Sequence, residues 1–245
     1  MKNILKSIMY YVYRLIYYVS RLIHYINIIL VLIAPKKSNL KLKLENELTE
    51  ETYNFFKKYF EKSIILYDKK KIREYAIKSS LLNDRSKEYY YLEFGVWKGD
   101  SSNFFSKFAN KLYCFDGFEG LKEDWAGSQY AKGHFNLNKK IPKLNSNVEP
   151  IVGWVEDTLD DFLKKHNPKI NFVHLDMDTY NPSKFTLEKI KPYLVKGSII
   201  LFDQLYNYIG WKNGEFKALN EVFNENEFEY KAFNVNTKQC VIQII

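Results

Sequence analysis

The stretch Glu93-Phe-Gly-Val-Trp-Lys-Gly-Asp-Ser101 follows an apolar run and leads into a helix-like segment. Its glycines, Gly95 and Gly99, are spaced like those of a phosphate-binding loop, but Trp97 occupies the place of the central glycine in a dinucleotide fingerprint. The stretch also lacks the Gly-Lys-Ser/Thr sequence of a P-loop. It therefore predicts a strand, a tight turn and a helix that hold a nucleoside cofactor without a pyrophosphate.

Such a cofactor requires close backbone approach, an acid near its ammonium group and a second acid for its ribose hydroxyls. Gly95 provides the first, Glu93 the second, and Asp116 follows Gly95 by 21 residues, at the spacing of a ribose-binding acid. S-adenosylmethionine has an amino-acid end, a ribose, an adenine and no phosphate. These residues therefore favour S-adenosylmethionine as the cofactor.

The body of the chain alternates short apolar runs with segments of helix length. This alternation predicts parallel strands joined by crossover helices. Two last runs with a short connection predict an antiparallel hairpin. The predicted fold is α/β, with a mostly parallel seven-stranded sheet, helices on both faces and a C-terminal hairpin, its strands lying near residues 89–95, 111–116, 148–152, 170–176, 198–203, 228–233 and 239–245.

Acidic residues stand at the carboxyl ends of the predicted parallel strands, where ligands bind in such sheets. One acid at a strand end could cap a helix, but a series on one edge indicates a functional site. Alternation in an extended strand predicts that Asp176 and Asp178 point to the same face. His174, within that strand, is expected to be a satisfied core histidine. The acids in question are Glu93, Asp116, Asp176, Asp178 and Asp203.

The formal charge of +8 belongs to the N-terminal segment. Residues 1–44 hold eight of the 37 basic residues and no acid, and the other 29 basic residues balance 29 acids. A nucleic-acid-binding domain would carry a basic stripe on its folded body, so this class of function is excluded. Cys114 and Cys240 lie in apolar runs and are predicted to be buried, reduced thiols.

Residues 1–35 are predicted to form a hydrophobic helix with a narrow polar stripe. The longest run without a formal charge, 22–35, is shorter than the roughly 20 apolar residues that a span requires. A helix in the membrane interface is favoured, with Pro35-Lys36-Lys37 at its end. A tilted span, or packing on the chain itself or on a second subunit, stays open. The stripe contains Asn3, Ser7, Tyr10, Arg14, Tyr17, Arg21 and His24.

A linker and a helical extension are predicted over residues 36–88, ahead of the catalytic domain at 89–245. The polar stretch 36–48 is interpreted as a linker. Thr49 is interpreted as the N-cap of a helix that runs to about Lys62, and a second helix is expected over 70–82.

Five blocks from residue 89 onward resemble class I S-adenosylmethionine-dependent methyltransferases and, more narrowly, the macrocin O-methyltransferase family. Characterised members of that family methylate sugar hydroxyls on macrolides. The resemblance implies a Rossmann-like class I methyltransferase fold. The blocks are YLEFGVWKGDS (91–101), YCFDGFEGLKEDW (113–125), IVGWVEDTLDDFL (151–163), NFVHLDMDTYNPSK (171–184) and GSIILFDQLYNYIGWKNGEFKALNEV (197–222).

The resemblance assigns a cofactor role to residues in the first four blocks. The glycine loop would shape the methionine side of the pocket, Asp116 would hold the ribose, and Gly153 with Trp154 would flank the adenine. The residues expected at the cofactor are Glu93, Gly95, Val96, Gly99, Ser101, Asp116, Gly117, Phe118, Glu119, Gly153, Trp154 and Asp176.

Members of the family are also expected to hold a divalent cation, usually Mg²⁺, with acids at two strand ends. Asp176 and Asp203 match those places, and Gln204 stands where relatives often have a second Asp or an Asn. A glutamine carbonyl can serve as a neutral oxygen ligand. Asp176 and Asp178 are the candidates for cation ligand and general base, with their order left open.

The sequence predicts a Mg²⁺-dependent O-methyltransferase that acts on a sugar hydroxyl of a glycan or glycosylated metabolite. A phenolic or catechol acceptor, or a membrane-tethered cofactor-binding protein without turnover, are the alternatives. Residues 123–145 are expected to act as a lid, and a cytoplasmic location at the inner membrane face and a possible homo-oligomer are predicted. Four aromatic residues are assigned either to acceptor binding or to ordinary packing: Tyr180, Tyr206, Tyr208 and Trp211.

Overall fold

A computed structural model describes residues 2–33, 39–84 and 88–245 of the chain. The chain divides into two compact units, residues 1–45 and residues 46–245. The predicted helix end at Pro35-Lys36-Lys37 and the predicted domain boundary after residue 35 lie outside the described residues. The elements are α1 (Lys2–Ile33), α2 (Asn39–Phe60), β1 (Ile64–Leu66), α3 (Lys69–Asn83), β2 (Tyr90–Phe94), α4 (Asp100–Phe105), β3 (Leu112–Asp116), β4 (Val148–Val152), α5 (Val155–His166), β5 (Ile170–Leu175), α6 (Tyr180–Ile190), β6 (Leu194–Phe202), α7 (Glu215–Val222), β7 (Phe228–Asn234) and β8 (Cys240–Ile244).

Helix α1 is one continuous helix, and from residue 9 to residue 30 it exposes apolar side chains on all sides. Between residues 9 and 30, exposure of its large apolar side chains reaches 74% at Tyr13. Arg14 donates a hydrogen bond to the Tyr18 hydroxyl, and Arg21 donates one to the Tyr25 hydroxyl. Within the described residues, none of the helices combines the length and apolarity that crossing a bilayer requires.

The sheet has eight strands in the order β1-β7-β8-β6-β5-β2-β3-β4. All neighbours are parallel except β8, which runs antiparallel to both β6 and β7. The predicted α/β fold with a C-terminal hairpin is therefore confirmed. The predicted count of seven strands is corrected to eight, because Ile64–Leu66 pairs parallel with β7 at the sheet edge. A strand of three residues is too short to show the alternation of apolar and polar residues by which a strand is predicted from sequence.

Helices cover both faces of the sheet, as predicted. On one face α5, α6 and α7 contribute Leu159, Leu187 and Leu219 to a large apolar core. On the other face α3 and α4 contribute residues such as Ile72 and Phe105. The neighbouring strands β5, β2 and β3 are almost entirely buried, and so is the second half of β6. Their carboxyl ends therefore lie at fixed positions along one edge.

The elements between α1 and β2 differ from the predicted boundaries. Helix α2 begins at Asn39, so the predicted linker is partly helical, and Thr49 lies within the helix rather than at its cap. Its Lys, Leu and Glu residues are good helix formers, which explains the earlier start. The Asp68 side chain caps α3 by accepting from the backbone N–H groups of Lys70 and Lys71. Strand β1 and α3 belong to the same compact unit as the sheet.

Candidate active site

The loop after β2 is shaped by two glycines with positive φ. Gly95 has φ +87°, and a Cβ there would overlap the backbone carbonyl oxygen of Asp176. The Gly95 N–H donates to the carbonyl of Phe115 at 2.9 Å. Gly99, with φ +80°, is the N-cap residue of α4. Only a residue without a side chain fits Gly95, so the loop lies directly against the end of β5.

Asp116 organises this loop from the end of β3. One carboxylate oxygen accepts from the backbone N–H groups of Val96 (2.7 Å) and Trp97 (2.8 Å), and the other accepts from that of Phe118 at 2.6 Å. Trp97 and Phe118 both have positive φ, which these charge-assisted bonds support. Oδ2 thus has both of its lone pairs engaged, whereas Oδ1 keeps one. Asp116 can therefore hold the loop and also accept from a ligand hydroxyl.

A cavity of about 440 Å³ opens between this loop and the ends of β3, β5 and β6. That volume lies within the range of small-molecule sites. Predicted site residues that line it are Gly95, Val96, Asp116, Gly117, Gly153, Trp154, Asp176, Asp178, Asp203 and Gln204. Predicted residues that do not line it are Glu93, Gly99, Ser101, Phe118 and Glu119.

Glu93 is fully buried beneath the loop instead of facing the cavity. Its carboxylate accepts from the Ser102 hydroxyl and lies 2.8 Å from Nδ1 of His174. Burial raises the pKa of Glu93, but hydrogen bonding and charge from His174 outweigh it, and the net pKa is lowered. The placement corrects the expectation that Glu93 meets the cofactor's ammonium group directly. Glu93 instead supports the loop through Ser102 and the strand β5 through His174.

Asp176 and Asp178 both border the cavity, but not by strand alternation as expected. Strand β5 ends at Leu175, and Asp178 sits in a tight turn with φ +62°, closed by a 2.6 Å bond from Thr179 N–H to the Met177 carbonyl. Non-glycine residues with such φ values are held by their surroundings and cluster at functional sites. Burial, followed by repulsion from Asp203, raises the pKa of Asp176 to about 7.

Asp203, at the end of β6, is surrounded by cations and amides. Lys69 and Arg73 of α3 lie 3.3 and 3.4 Å from it, and His174 Nε2 lies at 3.6 Å. Gln239 and Gln204 also donate to its carboxylate, at 2.5 and 2.7 Å. Burial raises the pKa of Asp203, but His174, Lys69 and Arg73 outweigh it and lower the net pKa. The carboxylate is ionised.

The residues at this edge fit a divalent cation. One ligand atom each of His174, Asp176 and Asp203 lies within 4.8 Å of the others. Nε2 of Gln204 lies 2.7 Å from Asp203 and 3.5 Å from Asp176, while its Oε1 is buried without a hydrogen-bond partner among the described residues. Hard cations such as Mg²⁺ take oxygen ligands of this kind. The donor set is thus the carboxylates of Asp176 and Asp203 and the imidazole of His174, with the unpaired amide oxygen of Gln204 on the residue after Asp203.

The aromatic residues around the cavity differ from those that the sequence singled out. Tyr206 and Trp211 are buried in an aromatic core with Phe56 of α2, and neither lines the cavity. Tyr180 instead donates a hydrogen bond to Glu221. Tyr208 is buried too. For these four residues, packing is the role that the contacts support.

Residues 117–147 contribute an aromatic wall that the sequence analysis missed. This segment has no helix or strand, but hydrogen bonds between Leu121 and both Gly133 and His134 hold it together. Several of its residues line the cavity, and the expected role of residues 123–145 as a lid stays a prediction. The signal available in the sequence was the presence of large aromatics in a polar stretch: Trp125, Tyr130 and Phe135.

Residues 92–205 match a family described as "Methyltransferase domain". A curated relative from Streptomyces olivaceus, 8-demethyl-8-(2,3-dimethoxy-alpha-L-rhamnosyl)-tetracenomycin-C 4'-O-methyltransferase, is 25% identical over 136 residues, which is 46% of this chain and 51% of the relative. The chain thus spans about half the length of that relative.

Two solved structures share the fold. The calicheamicin methyltransferase CalS11 has a TM-score of 0.59 at 18% identity, covering 85% of this chain and 94% of its own. The O-methyltransferase NovP has a TM-score of 0.50 at 15% identity, covering 71% and 78%. At these identities, the likeness is one of fold.

The fold and the match over residues 92–205 agree with the predicted resemblance to class I S-adenosylmethionine-dependent methyltransferases. Gly95, Asp116, Asp176 and Asp203 line one cavity, as that resemblance implies. The methyltransferase domain predicted from the sequence is therefore confirmed over residues 92–205.

Proposed function

We propose that the chain transfers a methyl group from S-adenosylmethionine to a sugar hydroxyl, with the help of a divalent cation such as Mg²⁺. The observation that carries this proposal is that Asp116 and the acids Asp176, Asp178 and Asp203 border one cavity. A ribose-binding acid and a group of oxygen ligands are thus within reach of a single bound cofactor and acceptor.

The cofactor half of the cavity consists of the glycine loop, Asp116 and Trp154. Gly95 permits close backbone approach, and the remaining lone pair on Oδ1 of Asp116 accepts from a ribose hydroxyl. Trp154 offers an aromatic face to the adenine. S-adenosylmethionine, when bound, would supply an electrophilic methyl group on sulfur. The chain's own contribution here is to orient that group toward the acids.

The acceptor half has to bind and deprotonate a weakly acidic hydroxyl. We assign Asp178 as the base that accepts the hydroxyl proton. Asp176, Asp203 and Gln204 would hold the cation, which would supply Lewis-acid stabilisation of the developing alkoxide. Asp176 is the better ligand of the two neighbouring acids because it is the one grouped with Asp203.

A sugar acceptor is supported by the name of the curated relative, which concerns methylation of a rhamnosyl group. The test is methyl transfer from labelled S-adenosylmethionine to glycosides, nucleotide sugars and catechols, each with Mg²⁺ or with a chelator. Transfer to sugars that needs Mg²⁺ and is lost in Asp178→Asn would support the assignment. Transfer to catechols alone would contradict the sugar proposal. Binding of S-adenosylmethionine without any transfer would favour a protein without turnover.

We further propose that α1 lies on an anionic membrane surface, which would place the enzyme at the inner face of a membrane. Its support is the exposed apolar surface between residues 9 and 30, together with eight basic and no acidic residues in 1–44. Fusing residues 1–38 to a soluble reporter tests this. A reporter found wholly in the soluble fraction would overturn it, and one that forms oligomers without lipid would favour self-association.

A further inference from the structure

Lys238 lies in the turn between β7 and β8 and lines the cavity, although the sequence analysis did not select it. Its backbone has φ +70°, in the left-handed region. Its carbonyl oxygen accepts a 3.1 Å hydrogen bond from the N–H of Leu205, in the loop after β6. Within the turn, Oδ1 of Asn234 accepts from the N–H groups of Asn236 and Thr237. These bonds hold the turn in place at the cavity wall.

The ammonium group of Lys238 has no anionic partner in the part of the chain that the structure describes. Nζ lies 5.3 Å from the centroid of the Tyr208 ring, and it makes neither a hydrogen bond nor an ion pair with a described residue. The two other lysines that line the cavity are paired. Lys69 lies 3.3 Å from Asp203, and Lys122 lies 2.8 Å from an acid of α5. The charge of Lys238 is therefore left for a ligand.

The surroundings of Lys238 do not neutralise it. Its side chain is half-buried. Burial lowers the pKa of the ammonium group and outweighs the charges of Asp203 and Asp178, which raise it. Asp203 already has Lys69 and Arg73 beside it. A charge that is removed from water without a counter-ion is costly, so an anion bound at this place would be stabilising.

The order of the strands places Lys238 on the acceptor side of the cavity. The cofactor residues follow β2, β3 and β4, whereas Asp178 and Asp203 follow β5 and β6. Strand β8 lies beyond β6, and four strand spacings of about 4.8 Å separate it from β3, which ends at Asp116. An anion beside Lys238 would thus belong to the acceptor rather than to the cofactor.

We propose that Lys238 binds an anionic group of the acceptor, a phosphate or a carboxylate, so that the enzyme methylates an acidic sugar in preference to a neutral one. The inference rests on the proposed function, because it takes the cavity beside Asp178 as the acceptor site. A lysine ammonium has three donors and suits both kinds of anion. The divalent cation of that function would offset the strand-end acids, which would otherwise repel such an acceptor.

The experiment measures the binding of three probes to the full chain by calorimetry, with S-adenosylhomocysteine and Mg²⁺ present. The probes are glucose 1-phosphate, methyl glucuronide and the neutral methyl glucoside. We expect the wild type to bind at least one acidic probe at least about tenfold tighter than the neutral one. Lys238→Met, which keeps the apolar stem and removes the charge, should lose that preference. The acidic probe whose affinity falls identifies the anion as phosphate or carboxylate.

Lys231→Met on β7 is the matched control. The Lys231 ammonium pairs with Glu229, and this lysine is not among the described residues that line the cavity, so the variant should bind all three probes as the wild type does. Lys238→Arg keeps the charge and should keep the preference for the acidic probe. If Lys238→Met does not fold, Lys238→Gln replaces it with the same expectation.

Equal affinity of the wild type for acidic and neutral probes, no binding of either acidic probe, or an unchanged preference in Lys238→Met would overturn the inference. Weaker binding of S-adenosylhomocysteine alone in Lys238→Met would overturn it too and assign the lysine to the cofactor's carboxylate. Methyl transfer to neutral sugars without any such preference would overturn this inference and leave the proposed function in place. Binding of an acidic probe that depends on Lys238, without methyl transfer to any sugar, would overturn the proposed function alone.

Discussion

Gly95 lies so close to the backbone carbonyl of Asp176 that a Cβ at position 95 would overlap the carbonyl oxygen. This contact fixes the cofactor loop against the strand end that carries the acids. Gly95→Ala should therefore displace both, and we expect a loss of at least about 2 kcal/mol in the free energy of unfolding, together with loss of S-adenosylmethionine binding. Chemical denaturation and calorimetry measure the two effects.

The matched control for this change is Gly133→Ala. Gly133 also has positive φ, at +82°, but among the described residues, its chain neighbours aside, no atom lies within 4 Å of a Cβ there. The free energy of unfolding of Gly133→Ala should fall by only about 1 kcal/mol, which is the cost of an alanine in the left-handed region. The variant should keep its affinity for the cofactor. Equal losses in the two variants would show that the contact with Asp176 has no special weight.

Asp116→Ala should weaken cofactor binding by removing the acceptor of three backbone N–H groups. Each charge-assisted bond contributes about 1.5–3 kcal/mol, so we expect affinity for S-adenosylmethionine to fall by at least about thirtyfold. Calorimetry provides the measurement. Asp161→Ala, an exposed acid on α5, should bind normally. An Asp116→Ala protein with wild-type affinity would refute the pocket assignment.

Asp176→Asn should stabilise the cation-free protein at alkaline pH. Because the pKa of Asp176 is raised to about 7 from its ordinary value near 3.8, the folded protein retains a proton that the unfolded chain has released. The stability that this proton provides is present at low pH and is lost as pH rises through about 7. Asparagine at position 176 stays neutral at every pH, so Asp176→Asn should not lose this stability as the pH rises.

We expect the melting temperature of Asp176→Asn to exceed that of the wild type at pH 8 by about 3 °C or more, which is roughly 1 kcal/mol for a chain of this size. The difference should shrink toward pH 4. Both proteins are measured in a chelator, so that bound cations do not offset the repulsion. A variant that is less stable at pH 8 would contradict the assigned pKa direction.

Cys114 and Cys240 should resist alkylation in the folded protein. Both are free and buried, which confirms the expectation of buried reduced thiols. Burial, aided at Cys114 by the neighbouring Glu93 carboxylate, raises the pKa of both thiols, and only the thiolate reacts. Mass spectrometry after iodoacetamide should show modification only once denaturant is added. Rapid native labelling at either position would indicate local opening.

The parts of the site that could be predicted from the sequence are those attached to strand ends. Gly95, Asp116, Asp176 and Asp203 each end or follow a parallel strand, and the topology alone brings such positions to one edge. Glu93 lies on a strand too, but two residues before the glycine, where its side chain is directed under α4 toward Ser102 and His174. The spacing of a motif predicts where a residue lies along the chain, but it does not predict whether its side chain faces the cavity.

The residues that were missed reach the edge from elsewhere. Lys69 belongs to α3, outside the blocks that carry the family resemblance. Glu215, the first residue of α7, accepts a hydrogen bond from the backbone N–H of Gln204 after β6. No periodicity in the sequence predicts the path of the turn that brings it there. Likewise, β1 can be recognised as a strand only from its parallel pairing with residues 232–234 of β7. Tertiary pairing, which the local sequence does not encode, decided these three cases.

The partners of Asp203 come from distant parts of the chain: Lys69 precedes it by 134 residues and Gln239 follows it by 36. During synthesis from the N-terminus, the Asp203 carboxylate therefore has all its donors only when Gln239, directly before the last strand, has been made. Chains that stop before Gln239 would expose β6 along one edge and leave the Asp203 carboxylate without the Gln239 amide. We therefore expect the site to bind its ligand only after the hairpin of β7 and β8 has docked on β6. Ligand binding would then be a sensitive signal of complete folding in the growing chain.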